Sequence, residues 1–111
     1  MKSDEDIVTE FCSLEDGEAT PDEAMECIDV IMAIVTRLAN PAKARRDNVR
    51  VIEDGQLAMD WSISDDGEFL FTGTVFGSDA QSLARNLALV CGMDSYESSI
   101  NPFAAPVGAR R

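Results

Sequence analysis

The apolar residues of this 111-residue chain change their spacing twice, and this change limits the folds open to the chain. Up to about residue 40 they recur every three or four positions, which is typical of amphipathic helices. Between residues 49 and 76 they alternate with polar residues, which is typical of half-buried strands. Helical spacing returns after residue 78. Helices and strands in separate blocks predict an α+β fold.

Capping residues mark two predicted helices in the N-terminal part of the chain. Ser3 can cap a short first helix that ends before Gly17. In residues 20–23, an N-cap threonine, a proline at the first helical position and a glutamate form a capping box, which predicts a second helix to about Ala39. Asn40-Pro41 should end it, with asparagine in a left-handed cap. Its wide apolar face predicts a central, mostly buried helix: Met25, Ile28, Ile31, Met32, Val35 and Leu38.

A basic segment and three strand-like runs follow. Residues 41–48, with Lys43, Arg45 and Arg46, are predicted to form a loop. The intervening Asp-Gly and Asp-Asp-Gly sequences accept the positive φ angles of tight turns, so the runs predict a three-stranded antiparallel meander. The runs are Val49–Glu53, Leu57–Ile63 and Phe69–Phe76.

Alternation also predicts which side chains of the sheet face the helices. In the second run these are Leu57, Met59, Trp61 and Ile63, and in the third run Phe69, Phe71 and Val75 lie together on one side. Gly73 predicts a β-bulge or a close approach in the third run.

The last predicted helix begins at a second capping box, Ser78–Gln81, and ends at Gly92. The predicted order is therefore ααβββα, with the meander packed against two to three helices. We expect residues 1–93 to form a single compact domain. Residues 94–111 are rich in Ser, Pro and Ala and are predicted to form an extended or flexible tail.

The composition argues against most catalytic chemistry. The chain has no histidine, which removes the commonest general base and metal ligand. Its three cysteines lack a Cys-x-x-Cys spacing, and its glycines form no phosphate-binding loop. We therefore expect no cofactor, no metal site and a non-catalytic function. A remaining catalytic alternative is an acid-dependent hydrolase that uses Asp60 and Asp66, which requires a cleft and a raised carboxyl pKa.

The net charge of −12 narrows the class of partner. Such a charge repels nucleic acids and anionic membranes, so direct binding to either is not expected. The N-terminus is acidic where a secretory signal is basic and then apolar, and the apolar run Cys27–Val35 is too short to span a bilayer. These features predict a cytoplasmic protein that binds basic protein surfaces.

Most of the negative charge lies near the N-terminus. Residues 1–36 contain eleven acidic residues and one basic residue. On two helices, these carboxylates are expected to form a surface that meets a basic partner protein, for example a nucleic-acid-binding complex. In charge bias, this third of the chain resembles small phage-encoded DNA mimics, including some anti-CRISPR and restriction inhibitors. The predicted partner-binding residues are Asp4, Glu5, Asp6, Glu10, Glu15, Asp16, Glu18, Asp22, Glu23, Glu26 and Asp29.

An alternative function is association through the sheet. A three-stranded meander has two open edges, and Leu70, Phe71 and Phe76 are expected to lie near Trp61 on this small sheet. This alternative predicts a self-associating structural or assembly protein, with a possible homodimer, or an immunity or chaperone-like subunit for one specific protein.

Overall fold

The computed structural model describes residues 2–92 and has an α+β architecture, which confirms the predicted fold class. The helices are α1 (Asp4–Cys12), α2 (Pro21–Ala39) and α3 (Ala80–Val90). The strands are β1 (Lys43–Arg46), β2 (Arg50–Val51), β3 (Leu57–Asp65) and β4 (Glu68–Gly77), with a 3-10 turn at Glu53–Gly55. The predicted tail, residues 94–111, lies outside the described residues.

The N-terminal helices begin where their caps predict. The hydroxyl of Ser3 accepts a hydrogen bond from the Asp6 amide at 3.1 Å. At the start of α2, the Thr20 hydroxyl accepts from the Glu23 amide at 3.1 Å and the Glu23 carboxylate accepts from the Thr20 amide at 2.9 Å. α2 ends at Ala39 as predicted. The left-handed cap is wrong, because Asn40 has a φ of −45° and is joined to Pro41 by a cis peptide bond.

The predicted capping box of α3 is also wrong. Asp79 is the N-cap, and its carboxylate accepts from the Ser82 amide at 2.8 Å. Gln81, which the box would have used for capping, is buried and bonds to the loop between α1 and α2. Aspartate caps a helix as well as serine does, so α3 does not need Gln81 for capping. The Gln81 side chain bonds instead to the backbone of Glu15 and Gly17.

In the described part of the chain the sheet has four strands where three were predicted, because the basic loop is partly a strand. β1 pairs antiparallel with β3 over Lys43 to Arg46, and β2 pairs with β3 on the same side further along. Together β1 and β2 form one interrupted edge strand. The sequence Lys-Ala-Arg-Arg has no apolar alternation, so the backbone hydrogen bonds that define this strand leave little trace in the residue pattern.

β3 and β4 form the predicted hairpin, with Asp66 and Gly67 at φ angles of 55° and 85° in the turn. A register shift lies between Ile63 and Ser64, near the start of β4 and away from Gly73. This shift breaks the side-chain alternation of β4. The prediction that Phe69 lies on the same side as Phe71 and Val75 is therefore wrong, and Phe69 is 67% exposed.

The core lies between the helices and one face of the sheet. α2 is central as predicted, with Ile28, Ile31 and Val35 fully buried, although Leu38 is 58% exposed. α2 packs on β1, α3 packs on β4, and α1 packs against both of these helices. Gly73 stands opposite Trp61, and an added Cβ would lie 3.0 Å from the Phe71 ring, so the predicted close approach is confirmed.

Candidate protein-binding surfaces

The predicted partner-binding residues lie on α1, on the loop that follows it and on the first half of α2. We call this surface the acidic helical layer; its eleven acids are those from Asp4 to Asp29. Ten of the eleven are exposed and Asp4 is half-buried. α1 packs against α2, which brings acids from both helices to neighbouring positions.

Five of the eleven acids form ion pairs with other residues of 2–92. Arg37 near the end of α2 reaches two carboxylates of α1, and Arg85 ties the loop to α3. Exposed pairs of this kind contribute about 0–1 kcal/mol each, but they neutralise charge that a partner would otherwise meet. The pairs are Arg37–Asp4 at 3.0 Å, Arg37–Glu5 at 2.8 Å, Lys2–Glu10 at 2.6 Å, Arg85–Asp16 at 2.6 Å and Arg46–Asp29 at 2.7 Å.

Two further acids are used by the backbone. Glu23 belongs to the capping box of α2, and the Glu18 carboxylate accepts from the Glu15 amide at 2.7 Å. The other four carboxylates have neither a hydrogen bond nor an ion pair within residues 2–92: Asp6, Glu15, Asp22 and Glu26. Asp22 and Glu26 lie one helical turn apart on the exposed side of α2.

A hollow of about 270 Å³ lies between α1 and α2. Its lining combines apolar side chains with three carboxylates and one lysine: Ile7, Phe11, Leu14 and Cys27 with Glu10, Glu23, Glu26 and Lys2. Lysine and arginine have aliphatic stems that favour apolar contact and charged ends that favour carboxylates. The hollow therefore has the chemistry to accept one long basic side chain. The hollow could not be predicted from residue spacing, because its walls come from two different helices.

The thiol in this hollow is not reactive at neutral pH. Burial, and secondarily the neighbouring Cys12, raise the pKa of Cys27 to about 12. Burial alone raises the pKa of Cys91 to about 12. Both thiols stay protonated near pH 7, and a thiol acts as a nucleophile or metal ligand only as the thiolate.

The second surface is the sheet face that the helices leave uncovered, which we call the outer sheet face. Strand register arranges it as cross-strand rows, with Arg45, Ser62 and Thr72 in one row and Asp60 beside Thr74 in the next. A shallow hollow of about 520 Å³ lies over these rows. Lys43 and Arg45 are the two basic side chains of residues 2–92 without an ion pair, and both lie on this face. The residue pattern of this segment is typical of a loop, so these two residues could not be predicted to share a sheet face.

Asp60 on this face lacks the property that the hydrolase alternative requires. The Thr74 hydroxyl donates to its carboxylate at 2.5 Å, and Arg50 lies 3.1 Å away. The Thr74 hydrogen bond and, to a smaller degree, Arg50 hold the pKa of Asp60 below its usual value despite some desolvation. Asp66 lies in the hairpin turn, six residues further along and thus about 20 Å away at strand spacing. The structure does not bring these two acids together.

Within residues 2–92, no group of three or more Cys, Asp or Glu residues is arranged to hold a metal ion. None of the three described helices has the length and apolar character needed to cross a bilayer. Comparisons with protein-family models, with curated proteins and with solved structures found no significant match. The two surfaces therefore have to be interpreted from their own chemistry.

Proposed function

We propose that this protein is a non-catalytic, cytoplasmic binding protein whose acidic helical layer docks on a basic surface of a partner protein and blocks the partner's nucleic-acid site. The observation that carries the proposal is the hollow between α1 and α2, where apolar side chains adjoin the Glu26 carboxylate, which has no ion pair or hydrogen bond within residues 2–92. The Glu10 and Glu23 carboxylates line the same hollow and already bond to Lys2 and to the Thr20 amide. An acidic surface that only kept the protein soluble would not require such a hollow.

The charge of the chain supports the same proposal. A net charge of −12 attracts a basic partner over distances of about a Debye length and raises the rate of encounter. Asp22 and Glu26 remain available to the partner because nothing within residues 2–92 neutralises them. Long-range attraction therefore comes from the whole chain, and local recognition comes from the hollow and its rim.

The experiment captures the partner on the immobilised full-length chain from a lysate of the source cell, or of its host if the source is a phage. Bound proteins are eluted in steps from about 0.05 to about 0.5 M NaCl and identified by mass spectrometry. The proposal expects a nucleic-acid-binding protein that elutes with rising salt, because a complex held by charge is screened. A labelled duplex or RNA bound to that protein should then be displaced by the chain. A partner that keeps its nucleic acid would contradict the proposal.

Matched variants separate the site from the total charge. Asp22→Lys with Glu26→Lys changes the proposed site, whereas Glu53→Lys with Glu68→Lys changes acids on the sheet side. Because each replacement adds two positive charges, both variants have a net charge of −8 in place of −12. We expect the first variant to weaken partner binding at least about tenfold more than the second, since local pairs at an interface contribute kcal/mol each. Equal weakening would refute the role of Asp22 and Glu26 in partner binding.

A further inference from the structure

The outward edge of β4 is unpaired within residues 2–92. β4 bonds to β3 on one side, and no other described strand pairs with it. It is the longest strand of the sheet, with ten residues, and contains neither lysine nor proline. Lysine, proline and short length are the usual devices that keep an edge strand from pairing with another chain. This edge has only an irregularity and Glu68 at its beginning.

Hydrogen bonds show which backbone groups point outward. The Asp47 amide donates to the Asp60 carbonyl, so the backbone amide and carbonyl of Asp60 point away from β4. The backbone groups of its neighbours, Met59 and Trp61, therefore point towards β4. Their register partners, Val75 and Gly73, therefore bond to β3. By alternation, the amides and carbonyls of Thr72, Thr74 and Phe76 point to the free edge.

The side chain of Asn86 on α3 confirms this direction. Its amide group donates to the Phe76 carbonyl at 2.6 Å, so this carbonyl is turned away from β3. Asn86 therefore lies beside the free edge. A carbonyl oxygen has two lone pairs, so the bond to Asn86 leaves room for a second donor.

Exposed apolar side chains concentrate at the same edge. Of seven large apolar residues exposed in the described part of the chain, five lie on β4 and α3: Phe69, Leu70, Phe76, Leu89 and Val90. Leu89 and Val90 follow Asn86 by three and four residues, so they share its side of α3 and flank the edge. Unpaired backbone and apolar surface thus coincide.

We propose that a second copy of this chain pairs with β4 in antiparallel orientation, with the two-fold axis at Gly73. From Leu70 to Phe76 the sequence of β4 is symmetric in residue type about Gly73, with a threonine on each side and two apolar residues beyond each threonine. The register brings Thr72 opposite Thr74 of the second copy, Phe71 opposite Val75, and Leu70 opposite Phe76. Thr72 and Thr74 both point outward, so they exchange hydrogen bonds in this register. Aromatic residues paired with branched apolar residues are among the favourable cross-strand neighbours.

The electrostatics of this dimer differ from those of the proposed function. From Phe69 to Gly77 the strand has no charged residue, while each copy carries a net charge of −12. The two copies repel each other at long range and attract through apolar and backbone contacts at short range. Salt screens the repulsion, so higher salt strengthens the dimer and weakens a complex with a basic partner. The two proposals can therefore fail independently.

The test is sedimentation equilibrium of the full-length chain over a concentration series up to about 1 mM, in about 0.05 and about 0.5 M NaCl. We expect a monomer–dimer equilibrium whose dissociation constant falls as salt rises. A chain that stays monomeric at every concentration and both salt concentrations would overturn the proposal, as would a dimer that salt dissociates.

Two matched pairs of variants locate the interface. Thr72→Pro removes an amide that no described strand bonds, whereas Thr72→Val keeps it; we expect only the proline to weaken the dimer, at least about tenfold. Leu70→Glu places a charge in the interface, and Leu38→Glu adds the same charge at an equally exposed leucine, 58% against 59%, on α2. Only Leu70→Glu should weaken the dimer. This second test remains valid even if Thr72→Pro disturbs the folding of β4. Equal effects of the two glutamates would overturn the assignment to β4.

Discussion

The acidic helical layer and the free edge of β4 differ in how far the chain satisfies its own groups. In the acidic helical layer, seven of the eleven acids have an ion pair or a hydrogen bond within residues 2–92. The edge of β4 has almost no charge, yet the same residues leave its outward backbone groups unpaired by any strand and three of its apolar side chains exposed. A high density of acidic residues in a sequence therefore does not mean that all of their carboxylates are available to a partner. An uncharged strand can leave more of its backbone groups without hydrogen bonds.

The largest effect is expected at Gly77, where the end of β4 contacts the backbone of α3. A Cβ at this position would lie 2.5 Å from the Leu83 amide nitrogen and 2.8 Å from its Cα, and backbone atoms cannot move aside. We expect Gly77→Ala to lower the free energy of unfolding by about 3 kcal/mol, at the upper end of overpacking effects. Urea denaturation followed by circular dichroism measures this change.

Gly73→Ala is the control for that measurement. Its Cβ would meet the tip of the Phe71 ring at 3.0 Å, and a side chain can shift where a backbone cannot. The loss should be about 1 kcal/mol. If Gly73→Ala proves as costly as Gly77→Ala, the rigid contact with α3 is not the cause.

The next largest effect is expected at Gln81, which holds the acid-bearing loop on α3. Its side-chain oxygen accepts from the Gly17 amide and its side-chain nitrogen donates to the Glu15 carbonyl, both at 2.9 Å. Gln81→Ala removes both bonds from a side chain that is 5% exposed, so stability should fall by about 1–3 kcal/mol. Gln56 is exposed, and Gln56→Ala should change stability by less than about 0.5 kcal/mol. Similar denaturation midpoints for the two variants would contradict this role of Gln81.

The helix boundaries were the most predictable part of the fold. Ser3 and the capping box at Thr20 satisfy backbone amides within three residues, so their signals are complete in the local sequence. The buried face of α2 follows from helical spacing for the same reason. The predicted burial of Leu38 is wrong because burial at the end of a helix depends on which elements pack beside it. Residue spacing does not contain that information.

Non-local contacts account for what the sequence did not predict. β1 is a strand because its backbone pairs with β3, although Lys43, Arg45 and Arg46 suggest a loop. Gln81 looked like a capping residue because its loop partners lie more than sixty residues earlier in the chain. The candidate site was predicted as a set of acids, whereas their pairing with Arg37, Arg46 and Arg85 depends on the tertiary fold.

The smallest expected effect is a pH-dependent loss of stability at Asp60 on the outer sheet face. The pKa of Asp60 is lowered first by the Thr74 hydroxyl and further by Arg50, so its contribution to stability is present above the unfolded value of 3.8 and is lost as pH falls below it. Thr74→Val removes the main cause. The stability difference between wild type and this variant should therefore be present at pH 7 and shrink towards pH 2 in urea titrations.

Thr72→Val is the control on the same strand, because the Thr72 hydroxyl has no hydrogen bond to a carboxylate within residues 2–92. Its stability difference from wild type should not change with pH over this range when measured at protein concentrations low enough to keep the chain monomeric. A Thr74→Val difference that persists unchanged at pH 2 would show that the hydroxyl acts by packing.

α1 is anchored to the core by fewer buried side chains than α2, so we expect it to unfold locally in the native state more often than α2 does. α1 buries only Val8 and Phe11, whereas α2 buries seven residues. Its ties to α2 through Arg37 are exposed and screened by salt. In native-state hydrogen exchange, α1 amides should therefore exchange through a partial unfolding well below the global free energy, and earlier at high salt than at low salt. Each such opening removes one wall of the hollow that holds Glu10, so a partner bound there would slow exchange in α1 while leaving β3 unaffected.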